Sequence, residues 1–256
     1  MGGSLLLSVS TLLGFLLTLV RVSGVFIFIP IPGATAIVNP ARVMFALALT
    51  VALFPVWPNV PANPSAGLLL MWMLMEAAMG TGIGLAVAFM LEAFSLGAQV
   101  MGMQAGYAFA SMVDPNTQAD STVLVIFAQL ASGLLFFATG LDRDVVHVFA
   151  RSLETCPAGS FQLGHGAADQ ILVMGSVMFS TALRLALPMI AVLVMVDISL
   201  ALLGRVNAQL QLLHLAFPLK MMVGLAMIGW IALMLPALFR LTASGALSSA
   251  ERMIAK

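Results

Sequence analysis

Charge is what this sequence has least of. Of its 256 residues, 10 are Lys or Arg and 10 are Asp or Glu, together 8% of the chain. A typical soluble domain carries roughly 25%. So few charges cannot cover a soluble globule of this length, which argues against a free cytosolic monomer. Disorder is excluded for the opposite reason, because hydrophobic residues make up 62% of the chain. The net charge is zero and basic runs are absent. Nucleic-acid binding, which needs a positive footprint, therefore has no support. The single cysteine, Cys156, cannot form an internal disulfide and leaves no room for a Cys-rich zinc or iron–sulfur site. A basic n-region is missing as well. Met1 to Val20 carries no charge and Arg21 follows the apolar run, so the first segment reads as a retained helix and not as a secretory leader.

Catalytic patterns are equally scarce. The chain has no Gly-x-x-x-x-Gly-Lys-Ser/Thr, no His-Glu-x-x-His and no Gly-x-Ser-x-Gly. His147, His165 and His214 are widely separated, and no two of them stand at ligand spacing. The expectation is a protein without catalytic residues, metal or cofactor, and not an enzyme.

What the chain does have is long apolar intervals. A spanning helix needs about 20 apolar residues. The charge-free intervals 1–20, 22–41, 43–75, 93–113, 121–141 and 221–239 qualify on length, which suggests about six spans. Proline and glycine divide them further. The expected helices run over 4–29, 40–55, 65–96, 120–138, 142–154, 167–203 and 208–241. Asn39-Pro40 and Asp142 are the helix starts, and 55–64 is a proline-rich connector. The last two helices, joined at Gly204-Arg205-Val206-Asn207, form a hairpin, and 243–256 reads as a short amphipathic tail. The fold class is all-α: a polytopic membrane-type helical protein of interrupted long helices with a C-terminal helical hairpin.

Arg21, Arg42, Glu76, Glu92, Arg184 and Asp197 lie inside or between the apolar runs. A charge at the bilayer centre costs about 2.5–3.5 kcal/mol on insertion scales, so each needs a partner. Internal ion pairs are one reading and contacts with other chains another. Glu76 and Glu92 stand out as possible pore-edge charges. Gly80-x-x-x-Gly84 and Gly102-x-x-x-Gly106 offer faces on which helix backbones approach closely. The 19 methionines, Met71, Met73, Met75 and Met79 among them, suit ordinary core filling or an adaptable surface against a moving chain.

One segment is physically odd for a span. Residues 102–116 combine Gly102, Gln104 and Gly106 with the turn signature Asp114-Pro115-Asn116. Irregular backbone at membrane depth is tolerated only inside protein or along a cavity. This segment is the candidate pore-lining or pore-blocking loop.

The same residues carry a family resemblance. Gly102, Gln104, Gly106, Ala110, Asp114 and Pro115 match the Gly-x-Gln-x-Gly-x-x-x-Ala-x-x-x-Asp-Pro pattern of the FliR family, membrane components of flagellar type III protein export. Further matches are Ala186-Leu187-Pro188, Asp197 to Arg205, Asn207-Ala-Gln-Leu, Phe217-Pro218-Leu219-Lys220 and, more weakly, Ser152-x-x-x-x-Pro157. The resemblance covers nearly the whole chain. It implies a core subunit of the export gate in the bacterial inner membrane, at the flagellar basal body. The implied partners are FliP and FliQ, with FlhB and FlhA nearby, and membrane lipid; the helical hetero-oligomer, much of it above the bilayer plane on this resemblance, would pass unfolded flagellar substrates. It also implies a FliP-like part, 1–165, followed by a FliQ-like hairpin and tail, 166–256. Gly102, Gln104, Gly106, Tyr107, Phe109, Met112, Asp114 and Pro115 would form the plug, and Arg184, Pro188, Asp197, Arg205, Pro218 and Lys220 the assembly contacts. The family's Asn-Gly-His-type turn is replaced here by Thr139-Gly140-Leu141-Asp142, which withholds any role from His147. The alternatives are an injectisome export-gate subunit, a small-molecule secondary transporter working through Glu76 or Glu92, and a membrane scaffold without a conduit.

Overall fold

A computed structural model of the chain describes residues 8–30, 40–61, 63–107, 123–157, 165–206 and 212–254. Among them there are seven α-helices and no strand: α1 Val9–Phe26, α2 Pro40–Ala52, α3 Ala66–Ala105, α4 Val123–Ala138, α5 Leu141–Thr155, α6 His165–Val206 and α7 Leu212–Ile254. The expected starts at Ser4 and Asn39 lie outside the described residues. The helix class expected from the sequence is therefore what the chain adopts.

The structure changes several boundaries. The α3 helix continues past residue 96 through Gly97 and Gly102 to Ala105. Gly97 does not loosen it, because the missing side chain is what lets α3 approach α6; a Cβ there would stand 2.8 Å from Leu185 Cδ2 and 3.2 Å from the Ala182 carbonyl oxygen. Asp142 is not the cap of α5. Gly140, at φ +79°, holds that position, and Asp142 and Asp144 instead place negative charge in the first turn, where the helix dipole favours it. The expected tail is no separate element either, since α7 runs unbroken through Pro236 to Ile254. Proline inside a helix removes one hydrogen bond without ending it when packing holds the rest, as at Pro188 in α6 and at Pro218 and Pro236 in α7.

Among the described residues four helical stretches are long and apolar enough to cross a membrane, Val9–Phe26, Ala66–Ala105, Ala168–Val206 and Ala216–Met253, or five if α4 and α5, bent by 65°, count as one span, against the six that charge spacing suggested. Charge-free intervals are a poor count of spans because one 40-residue helix, about 60 Å long at 1.5 Å per residue, takes in parts of two of them, 43–75 and 93–113.

The chain divides into two compact units. The first joins 1–89, 140–175 and 243–256; the second joins 90–139 and 176–242. In the first, α1 buries Gly14, Leu17, Thr18, Arg21, Val22, Gly24 and Val25, a stripe at helical spacing. Ser8 caps this helix by accepting from the Thr11 N–H at 3.2 Å. At its other end the Arg42 guanidinium, from α2, donates to the Ile27 carbonyl at 2.7 Å, placing a cation at a helix C-terminus. The proline connector is a packed strap and not a free spacer. Trp57 lies against Phe15 at 5.2 Å between ring centroids and donates to the Thr50 carbonyl at 2.8 Å, while Ser10 donates to the Val60 carbonyl.

The α1 and α3 backbones meet at glycine. A Cβ on Gly24 would stand 2.7 Å from the Thr81 nitrogen, and one on Gly80 would stand 2.9 Å from the Arg21 carbonyl carbon. Gly84 faces the Val25 carbonyl in the same way, so Gly80-x-x-x-Gly84 is the face that α1 occupies. Because backbone atoms cannot step aside, Gly80→Ala should cost about 1–3 kcal/mol. It should lower the melting temperature of the detergent-extracted protein. Gly133→Ala, at a helical site with nothing within 4 Å, should leave it unchanged or raise it. Equal melting temperatures for the two variants would contradict this crossing.

Candidate functional site

Two arrangements of polar groups stand out, one in each unit. In the first unit, Arg21 and Glu76 are each 1% exposed. The Arg21 Nε donates to Glu76 Oε2, and a second guanidinium nitrogen donates to Glu76 Oε1 at 2.9 Å and to the Cys156 carbonyl at 3.0 Å. The third nitrogen donates to the Ser152 carbonyl at 2.8 Å and to the Ser152 hydroxyl at 3.2 Å. A guanidinium has five N–H donors in a fixed fork, and these contacts occupy all of them. The junction ties α1, α3 and the end of α5 together. Gly80, one turn beyond Glu76, brings the Arg21 backbone close enough for the fork to reach the carboxylate. Glu76, expected as a possible pore-edge charge, sits in this internal pair.

The second arrangement is the end of α3 in the second unit. Gly102 is buried, and Gln104, Gly106 and Tyr107 are half-buried. Gly106 has φ +87°, the left-handed conformation that stops a helix at little cost for glycine. The Gly106 N–H donates to the Met103 carbonyl at 3.2 Å and the Tyr107 N–H to the Gly102 carbonyl at 3.0 Å. This is the Schellman closure, which satisfies carbonyls that a helix end otherwise leaves open. The Tyr107 hydroxyl donates to the Met221 carbonyl of α7 at 3.1 Å. Phe109, Met112, Asp114 and Pro115 lie outside the described residues.

The expected assembly residues fall on α6 and α7. Asp197 and Lys220 pair with each other at 2.6 Å, the lysine 20% and the aspartate 42% exposed. In water such a pair contributes about 0–1 kcal/mol; in an apolar setting it also neutralises two charges. Arg184, Arg205 and Pro218 are exposed, and Pro188 is half-buried inside α6. Glu92 is exposed on α3, in the second unit. Met221 and Gly224 went unsuspected in the sequence, since a backbone acceptor and a glycine in an apolar run give no signal. Ser152 had only a weak one. Among the described residues no group of three His, Cys, Asp or Glu side chains is placed to hold a metal.

Apolar exposure is uneven. Half of the most apolar window of α3 is buried within the chain, against 28% for α6 and 17% for α7. The hairpin helices thus present Leu183, Leu187, Met195, Met222, Leu225 and Leu233 outward. Exposure on that scale needs lipid or protein around it.

These features define an all-α protein of membrane type. The family follows from comparison with known proteins: the model of the bacterial export proteins, family 1, matches residues 12–244, and the chain belongs to that family. Its relatives include three proteins named "Flagellar biosynthetic protein FliR". The one from Escherichia coli (strain K12) is 29% identical over 191 residues, 73% of each chain. The one from Pectobacterium carotovorum subsp. carotovorum is 26% identical over 220 residues, 85% of this chain and 83% of the relative. The one from Bacillus subtilis (strain 168) is 25% identical over 217 residues, 84% of each.

Removing one member of the Arg21–Glu76 pair leaves a buried charge without its partner, which costs about 3–5 kcal/mol. Arg21→Met and Glu76→Met should each sharply lower the amount of folded protein in membranes. The double variant Arg21→Met, Glu76→Met should recover part of it. A double variant as poor as the two losses added together would show that the two charges do not act as a unit.

Proposed function

We propose that this chain is a core subunit of the flagellar type III protein export gate, and that its α3 end helps to close the channel at rest. The observation that carries the first part is membership of the export family, together with relatives that bear a flagellar name along most of their length. Those names favour the flagellar reading over the injectisome one. The chain is a membrane-type component of flagellar protein export; its place in the inner membrane at the basal body, and its contacts with FliP, FliQ, FlhB and FlhA, are the finer reading. Hetero-oligomer packing is supported by the outward apolar faces of α6 and α7, which need cover. On this reading 1–165 corresponds to a FliP-like part and 166–256 to a FliQ-like hairpin and tail. Arg184, Pro188, Asp197, Arg205, Pro218 and Lys220 contribute to assembly.

The closing role is assigned to 102–116. Gly102, Gln104, Gly106 and Tyr107 supply a capped helix end seated on α7. In the sequence, Phe109 and Met112 bring bulk, and Asp114-Pro115 brings a turn. Glu92 is kept as a pore-edge charge. The chain passes unfolded substrate and supplies no motor chemistry, so energy coupling belongs to partners. Shortening residues 106–113 should make resting membranes leaky to ions while the subunit still accumulates. Membranes that stay tight would remove the closing role and leave the subunit assignment standing.

A further inference from the structure

The contacts of Tyr107 are those of a fastening more than of a sealing surface. Its backbone N–H completes the closure of α3, so the residue is fixed to its own helix. Its hydroxyl crosses to α7 and donates to the Met221 carbonyl, which has a second lone pair to offer beyond its helical role. One turn along, on the same face of α7, stands Gly224. A Cβ there would lie 3.1 Å from Ala105 Cβ, 3.1 Å from Met189 Cε and 3.7 Å from Tyr107 Cε2. The missing side chain is therefore the seat into which Ala105 and the tyrosine ring fit. The receiving stretch of α7 is itself tied down, because Lys220, next to Met221, pairs with Asp197 of α6.

We infer that Tyr107 is a positioning residue that fastens the C-terminal end of α3 to α7, and that this joint stays closed while the gate works. The inference rests on the proposed closing role of this segment and changes the part that 102–107 plays in it, from moving element to fixed mount.

The test uses the complete export apparatus in cells, in a Cys156→Ala background. Ala105→Cys with Gly224→Cys places two thiols on carbons 3.1 Å apart, a little short of the roughly 3.5–4.5 Å that a disulfide spans, so the helices part slightly to accept the bond and the reduced double variant is the reference for export. The expected result is that an added oxidant links the pair and that flagellar substrates are exported equally in the oxidised and reduced states. Export that stops on oxidation and returns on reduction would overturn the inference. So would a pair that stays unlinked although both thiols are present in the membrane. Tyr107→Phe tests the hydroxyl without a change of bulk. Resting ion leak should rise about fivefold, the shift expected from one lost neutral hydrogen bond, with abundance and export unchanged. A parallel loss of abundance and export, or an unchanged leak, would assign the residue to general stability and overturn its positioning role. The cross-link reads the joint whether or not the segment seals, so failure of the closing role, seen on shortening 106–113, is told apart from failure of the joint.

Discussion

The first unit depends on one buried ion pair. Arg21 and Glu76 lie on different helices, almost wholly out of contact with solvent, and neither is tolerable there alone. Desolvating both is offset by geometry: the carboxylate takes two of the five guanidinium N–H groups and the end of α5 takes the other three. The pair thereby sets which faces of α1 and α3 meet. The glycine crossing at Gly24 and Gly80 follows from it, because only bare backbone lets the two helices come close enough for the fork to close. The end of α7 returns to the same unit, where Met253 fills the space over Gly82 and Glu251 pairs with Arg151 at 3.3 Å. Residues far apart in sequence are held around a charge that could not otherwise be buried.

The second unit obeys a different constraint. Its internal contacts are mostly apolar, such as Phe94 against Phe239 with 5.2 Å between ring centroids. Among the described residues, polar side chains link its helices where α3 ends on α7 and where Asp197 meets Lys220. The helices of the hairpin hide little of their apolar surface within the chain. Such a surface is stable only beside lipid or other apolar protein, which agrees with a protein of an export family and with a function carried out in company.

Much of this was legible in the sequence, and the gaps have physical reasons. Scarce charge and long apolar runs gave the helical membrane class, and the Gly80-x-x-x-Gly84 spacing marked a real crossing. The need for a partner at Arg21 and at Glu76 was visible, but their identity as partners of each other was not. They lie on separate helices, and their register is set by packing and not by spacing. Glycine misled at Gly97, which reads in the sequence as a helix end, and the last helix extends beyond its expected end at 241. Packing against α6 carries α3 through Gly97, and α7 continues past 241 to Ile254, where Met253 packs over Gly82. The candidate gate was visible as an oddity of composition at 102–116. Its mount was not, because a glycine at 224 and a carbonyl at 221 are silent in a sequence until a tyrosine is seen to reach them.

The outward apolar faces of α6 and α7 need cover, and the proposed function has this chain work as one subunit among others. Native mass spectrometry of the affinity-tagged chain, co-expressed with its neighbouring genes and extracted in mild detergent, measures that directly. The account predicts a large hetero-oligomer holding this chain with several copies of two smaller apolar proteins. A lone monomer or homodimer, with those partners expressed in the same cells but absent from the particle, would contradict it and turn attention to an autonomous transporter.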